Sequence, residues 1–394
     1  MRILHIIPYF YPAWAYGGTC RAAWEVARAT ARRGHEVVVC TTDALDARRR
    51  AEPPSEVVEG IEIHRSTNLS NRLAWNRLFL PLTFEIDLAR ELGRTDVVHV
   101  HEYRSFQNVV ALPAIERAGK PFILTAQGSA PLLLGRFALK RVYDALVGKR
   151  LIAQACRLHA LNTMEQKQFL EAGGRPEQIF IAPNCINVDE YHTLPQSNDF
   201  RAKHDIAPDA PLVLFLARIN KIKGVDFLVS AFAEALSELP EAVLVIAGPD
   251  DGFLSQVKEQ IQTLGIGERV RFVGYIDGAA KLEAFQAADV YVLPSSYEIL
   301  GITLLEALAC RTPVITTEQC GLADEIQQNG LGSVVEYGDV SGLKDELVRT
   351  LCNRETMRRD AERRREYVLV NFSWDTVAEK WEAVYAECAA SRRK

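Results

Sequence analysis

Val290-Tyr-Val-Leu293-Pro294-Ser-Ser-Tyr-Glu298-Ile-Leu-Gly301-Ile-Thr-Leu-Leu-Glu306-Ala-Leu-Ala-Cys310 is the stretch that decides the fold. Its first four residues are apolar without alternation, which is how a strand buried on both faces of a parallel sheet reads. Pro294 and the serines after it end the run. The apolar residues beyond Gly301 then form a helix. A buried strand running directly into a helix is half of a βαβ unit, the building block of a parallel sheet wrapped by helices.

The same alternation extends in both directions. Leu212–Ala217, Ala242–Ala247, Val270–Val273 and Val314–Thr316 are further strands of the second half. The first half offers Ile3–Ile7, Val37–Thr41, Val97–Val100, Phe122–Thr125, Leu158–Leu161 and Ile179–Ala182. A helix over Cys20–Arg33 follows the first strand, and Gly34 is its stop signal. The expected organisation is a Rossmann-like domain over 1–190, a linker over 191–210 rich in Pro, Asp and Ser, and a second such domain over 211–372. A final helix over 373–394, capped by Ser373, is expected to pack back toward the first domain. The fold class is therefore α/β, with two doubly wound parallel sheets facing across a cleft. Such sheets bind ligands beyond the carboxyl ends of their strands.

Size agrees, because 394 residues exceed one ordinary core. A net charge of -5 speaks against a general nucleic-acid binder, which carries a basic excess. The eight cysteines show no Cys-x-x-Cys spacing and read as small buried side chains or free thiols of a reducing compartment. The apolar run after Arg2 is cut by Pro8, too short for a signal peptide, and no stretch approaches the roughly 20 apolar residues of a membrane span. A cytoplasmic protein is expected, peripheral at most on the inner face of a membrane.

Glu298 and Glu306 are the strongest chemical signal. They stand about two helical turns apart, so both can line the entrance of one helix. Carboxylates accept strong directional hydrogen bonds from sugar hydroxyls, and backbone N–H groups at a helix start favour anions. Spacing alone does not separate this arrangement from two ordinary carboxylates near a helix N-terminus.

The segment resembles the Glu-x7-Glu motif of retaining GT-B glycosyltransferases, the group that includes sucrose and glycogen synthases. Further segments match that family in order. Arg218-Ile-Asn-Lys-Ile-Lys223-Gly224 resembles its donor-phosphate element, and Gly17-Gly18 its N-terminal glycine loop. Arg32-Arg33-Gly34-His35-Glu36-Val37 fits the end of the following helix, and Val98-His99-Val100-His101 a strand ending in a sugar-facing His. Pro183-Asn184 and Thr312-Pro313-Val314-Ile315 also fit. The resemblance covers nearly the whole chain.

It implies a retaining transfer from a nucleotide diphosphate sugar, UDP- or GDP-linked, to a hydroxyl acceptor such as a glycan or lipid-linked saccharide of a cell-surface polysaccharide. Arg218, Lys223, Glu298 and His101 would be catalytic. Gly17, Gly18, Gly274, Tyr275, Leu300, Gly301, Ile302, Thr303 and Glu306 would complete the donor site, with Glu306 on the ribose and Glu298 on the transferred sugar. Gln127, Gly128 and Asn184 would lie on the acceptor side. Fixed cations at Arg218 and Lys223 stabilise a departing diphosphate more in the transition state than in the ground state. The chain holds no Asp-x-Asp, the usual holder of a divalent metal on a sugar diphosphate, so no metal or other cofactor is expected. His99 is expected to face away from His101, and Glu102 to help orient the His101 ring.

The chain departs from the family in places. Glu298-Ile-Leu-Gly301 replaces Glu-Gly-Phe-Gly, Gln127-Gly128 replaces His-Gly, and Asn184-Cys185 replaces Asn-Gly. A nucleotide-sugar epimerase of the same fold and a non-catalytic nucleotide-sugar binder remain open readings. Leu132–Arg157 and Arg72–Pro81 mix apolar and basic residues and suit an anionic membrane surface, or equally a helix packed on the sheet.

Overall fold

The computed structural model describes residues 1–131, 137–195 and 199–391, the side chain of Phe137 excepted. The chain divides into two units, Met1–Cys185 with Trp374–Lys394, and Ile186–Ser373.

The first unit is built on eight strands: β1 (Arg2–Ile6), β2 (Glu36–Thr42), β3 (Ser55–Val58), β4 (Ile61–Ser66), β5 (Val97–His101), β6 (Phe122–Thr125), β7 (Arg157–Ala160) and β8 (Ile179–Ile181). They lie in the order β3-β4-β2-β1-β5-β6-β7-β8. All neighbours are parallel except β3 and β4. Alternation along the strands feeds two layers. Leu4, Val98, Val100 and Leu124 face one core. Ile3, Val97 and Ile123 face another, with Trp374, Trp381 and Tyr385 of the final helix Trp374–Ser391.

The second unit holds β9 (Leu212–Leu216), β10 (Val243–Ala247), β11 (Val270–Gly274), β12 (Val290–Leu293), β13 (Val314–Thr317) and β14 (Gly332–Val335). Their order is β11-β10-β9-β12-β13-β14, parallel throughout. Strand order reverses between β9 and β12, and in the first unit between β1 and β5. These are the switch points at which open α/β sheets leave a crevice for ligands.

Several expectations need correction. The unit boundary falls after Cys185. The stretch expected to be a linker contributes the turns Asp189–His192 and Phe200–Lys203, whose Tyr191 and Phe200 are buried. Hairpin β3–β4 and edge strand β14 carry too many polar residues and glycines to read as buried strands. The first helix begins at Gly18, with Gly17 at its N-cap. His99 and His101 face the same side of the sheet, their rings stacked 4.0 Å apart, because residues i and i+2 of a strand share a face.

Candidate active site

The second unit places Arg218 and Lys223 after β9 and Glu298 after β12, on the two sides of the switch point. Asn220 Oδ1 accepts from the Ile222 amide at 3.0 Å and caps the turn Lys221–Lys223. Gly224 follows at φ 68°, and a Cβ there would lie 2.0 Å from the Pro294 carbonyl oxygen. Only glycine lets the two loops touch in this way. Ser296 N then donates to Ile222 O at 2.8 Å.

With the loops joined, the Lys223 ammonium closes on the Glu298 carboxylate; both side chains are largely buried. The backbone of Glu298 is fixed by its amide on Gln319 O at 3.0 Å and by Gly321 N on its carbonyl at 2.8 Å. Arg218 is half-exposed and paired with Asp251. Two cations therefore stand at this crevice, each held by a carboxylate that an anionic ligand can displace or share.

Gly301, at φ 83°, caps the helix Ile302–Ala309. A Cβ on it would come within 2.9 Å of Leu304 Cδ1 and 3.1 Å of Cys320 Sγ. Leu300 is buried, and Thr303 Oγ1 lies 2.7 Å from the hydroxyl of Tyr291 on β12, which fixes the first turn to the sheet. One turn further, the buried Glu306 meets Lys281 Nζ at 2.8 Å. Tyr191 also hydrogen-bonds to Glu306, and burial together with that carboxylate pushes its phenol well above the usual range. At the end of β11, Gly274 adopts φ 72° with open space at its Cβ position, and the exposed Tyr275 donates to Asp277 Oδ2 at 3.0 Å.

In the first unit Gly17 holds φ 97°, and Gly18 opens the helix Gly18–Arg32. His101 ends β5, fully buried, with Nε2 2.9 Å from His5 Nδ1 and no hydrogen-bond partner for Nδ1 among the described residues. Burial holds both rings neutral, lowering His5 to about 3 and His101 well below the ordinary imidazole range. Glu102 does not orient His101. At φ 65° its carboxylate turns to the Tyr9 hydroxyl, beside the Arg77 guanidinium that covers the Tyr9 and Tyr16 rings.

Gln127 and Gly128 both have positive φ, 48° and 77°. Their turn is pinned by the buried Glu165, whose oxygens accept from Gly128 N at 2.6 Å and Leu161 N at 2.8 Å. Asn184 lies at the end of this unit, half-buried. Sequence reasoning missed Lys281, Tyr191, Tyr291, Tyr9, Arg77 and Glu165. One signal was available: Lys281 is the single cation in the helix Gly278–Ala287, whose only other polar side chains are Glu283 and Gln286.

Family models match both units: "Glycosyl transferase 4-like domain" over residues 17–185 and "Glycosyl transferases group 1" over 196–367. A D-inositol 3-phosphate glycosyltransferase of Nocardia farcinica is 30% identical over 313 residues, 76% of this chain and 68% of that protein. The chain belongs to the group 1 glycosyl transferases. A glycogen synthase of Mycobacterium tuberculosis is 27% identical over 421 residues, covering 100% of this chain and 96% of its own. The fold is GT-B. Sucrose-phosphate synthase of Thermosynechococcus elongatus superposes with a TM-score of 0.80 at 22% identity, over 99% of each chain. HepE of Anabaena, crystallised with UDP-glucose, gives 0.77 at 19% identity over 99% of this chain and 100% of its own. Within this glycosyltransferase, the second family model contains Arg218, Lys223, Glu298 and Glu306, and the first contains His101.

Proposed function

We propose that this glycosyltransferase moves a sugar from a nucleoside diphosphate sugar to a hydroxyl acceptor with retention of anomeric configuration, and needs no metal. The observation that carries the reading is the joined pair of loops after β9 and β12, which holds Arg218, Lys223 and Glu298 beside the cap of the helix Ile302–Ala309. A diphosphate placed there gains charge-assisted hydrogen bonds from two cations, which strengthen as the leaving group takes up negative charge. Glu298, released from Lys223, accepts from hydroxyls of the transferred sugar, while Glu306, set by Lys281, accepts from the ribose. Gly274 and Tyr275 offer the base an open turn. Leu300, Gly301, Ile302 and Thr303 bring main-chain donors to the sugar and phosphate. In the first unit, Gly17 and Gly18 open a helix N-terminus and His101 keeps a neutral ring with a free nitrogen. Gln127, Gly128 and Asn184 form the acceptor side.

Uridine is the favoured base over guanosine, because a solved neighbour of this fold holds UDP-glucose. The acceptor is a glycan or lipid-linked saccharide of a cell-surface polysaccharide, reached from the cytoplasmic face of a membrane. Leu139, Val142 and Leu146 are exposed beside Lys140, Arg141 and Lys149, and Leu73, Trp75 and Leu78 beside Arg72, as an interfacial surface requires. Leu132–Arg136, part of the same expectation, lie outside the described residues. No described helix is long and apolar enough to cross a membrane.

The test is transfer from UDP- and GDP-sugars by wild-type protein and by Arg218→Ala and Lys223→Ala, with and without a chelator. Each substitution removes a charge-stabilising donor and is expected to cost about 3–4 kcal/mol, or 10²–10³ in kcat. Wild-type rates in both variants, or activity lost on chelation, overturn the reading. Anomeric NMR of the product decides retention, and flotation with anionic vesicles decides the membrane surface.

A further inference from the structure

Two elements of the proposed donor site meet at one buried phenol. Tyr291 stands in β12 between Val290 and Val292 and is fully buried. The two valines join the core cluster that holds Phe215 and Leu244. Strand alternation turns Tyr291 to the other face, where its ring meets Phe285 edge-on, centroids 5.3 Å apart. Its hydroxyl lies 3.1 Å from the Leu216 carbonyl oxygen and 2.7 Å from Thr303 Oγ1. Leu216 closes β9, two residues before Arg218. Thr303 stands in the first turn of the helix Ile302–Ala309, two residues after the cap Gly301.

The donors and acceptors in this triangle can be assigned. A phenol carries one proton and offers lone pairs as well, and so does the threonine hydroxyl. A carbonyl oxygen only accepts. Tyr291 therefore donates to Leu216 O, and Thr303 donates to the Tyr291 oxygen. The two bonds satisfy a hydroxyl that burial would otherwise orphan. They also turn the Thr303 proton inward, so that this turn presents main-chain N–H groups, and not its hydroxyl proton, to a ligand. The end of β9 is held from its other neighbour too. Ala217 N donates to Ala247 O at 3.1 Å, and a Cβ on Gly248 would overlap the Ala217 carbonyl.

We propose that Tyr291 is a positioning residue for the donor diphosphate, setting the Arg218 end of β9 and the first turn of the helix Ile302–Ala309 at a fixed separation. The inference rests on the donor site proposed above. A diphosphate there takes hydrogen bonds from a guanidinium that follows one strand and from amides that open a helix after another. Groups fixed in advance need no rearrangement when charge develops on the leaving group. The Lys223–Glu298 pair and the approach of Gly224 to Pro294 join the two loops. Tyr291 joins the same elements at the level of the sheet. Phenylalanine at this position would fill the same space and leave the Leu216 carbonyl and the Thr303 hydroxyl without their link.

The experiment titrates UDP and UMP into full-length wild type and Tyr291→Phe by calorimetry, with GDP and GMP as the pair if wild type binds only guanosine nucleotides. The Kd for the diphosphate should rise roughly tenfold and that for the monophosphate at most about twofold, the scale of one to two neutral hydrogen bonds acting on the diphosphate. Thr303→Val removes the same link from the helix side and should give the same pattern; it decides the matter if Tyr291→Phe does not fold. In the double variant one link is removed twice, so the diphosphate should bind within about twofold of the weaker single variant. Equal losses for the two nucleotides, an unchanged diphosphate Kd in a folded variant, or multiplied effects in the double variant overturn the proposal. A wild-type protein that binds neither UDP nor GDP fails the donor site itself, and the inference with it.

Discussion

Replacing Lys281 by Met separates what holds Glu306 from what Glu306 does. The ammonium and carboxylate meet at 2.8 Å, with side chains 9% and 12% exposed. At that distance and an effective dielectric of 20, their attraction is about 6 kcal/mol before the cost of desolvating both groups. Removing one member of such a pair leaves an uncompensated buried charge, at about 3–5 kcal/mol. The Tyr191 hydroxyl still bonds to Glu306, which places the loss near the lower end. For a unit of this size about 3 kcal/mol lowers Tm by roughly 6–12 °C. Lys281→Met with Glu306→Leu removes both charges, and such replacements are often neutral, so the double variant should melt within about 3 °C of wild type.

Ligand binding then gives the second reading. The double variant, though stable, lacks the proposed ribose acceptor. Hydrogen bonds to a charged group contribute about 1.5–3 kcal/mol, so its Kd for UDP should rise roughly 10- to 100-fold. Calorimetric melting and titration of UDP into the three proteins measure both effects. A single variant that melts within 2 °C of wild type refutes the buried-pair argument. A double variant that binds UDP normally refutes the role given to Glu306.

Other perturbations have equally definite outcomes. Gly224→Ala puts a Cβ 2.0 Å from the Pro294 carbonyl oxygen at φ 68°, so the two loops must part; transfer activity should fall at least tenfold, and an unchanged rate would show that the join is dispensable. Glu165→Gln turns an amide donor toward either Gly128 N or Leu161 N, both of which already donate; urea melts should show a loss of about 1–3 kcal/mol, the cost of an unsatisfied buried group. Acidification should destabilise the first unit through its histidines. Burial lowers His159 to about 4 and His5 to about 3 in the fold, so between those values and about 6.5 the unfolded chain binds more protons. Stability from each is complete above about 6.5 and falls as pH drops, by about 2 kcal/mol per ring at pH 5. Glu165, raised to about 7 by burial, works in the opposite direction. Urea midpoints that rise between pH 7 and pH 5 would contradict the histidine reading.

How much of this was legible follows from the range over which each feature is specified. Parallel strands write themselves as unbroken apolar runs, so Val290–Leu293 and Leu212–Leu216 were visible at once. So were the loops leaving them, because a glycine needed at φ 68° or φ 83° is a local demand that the chain records at Gly224 and Gly301. The β3–β4 hairpin was not visible, since half its side chains meet solvent and the pairing of Ser55 with His64 depends on tertiary context. The facing of His99 was readable and was misread: a period of two puts it beside His101, and both rings beside His5 across the β1–β5 switch point.

The partners of the functional carboxylates lie at the far limit of legibility. Glu298 meets Lys223 from 75 residues away, and Glu306 meets Lys281 from 25 residues away. Neither pairing follows from periodicity, because strand order, and not spacing, brings the β9 and β12 loops side by side. The pairings still bear on chemistry. A carboxylate held by a lysine of a surface loop, its side chain 18% exposed, can exchange that lysine for a ligand, whereas one locked to a lysine on a helix, 9% exposed, keeps its orientation. Under the proposed assignment the two glutamates differ in how they are held as well as in what they bind: Glu298 exchanges its lysine for the donor, and Glu306 is the fixed point against which the donor is placed. Lys223→Ala should therefore change kcat far more than UDP affinity, and Lys281→Met should do the reverse. Equal effects of the two substitutions on both parameters would deny the distinction.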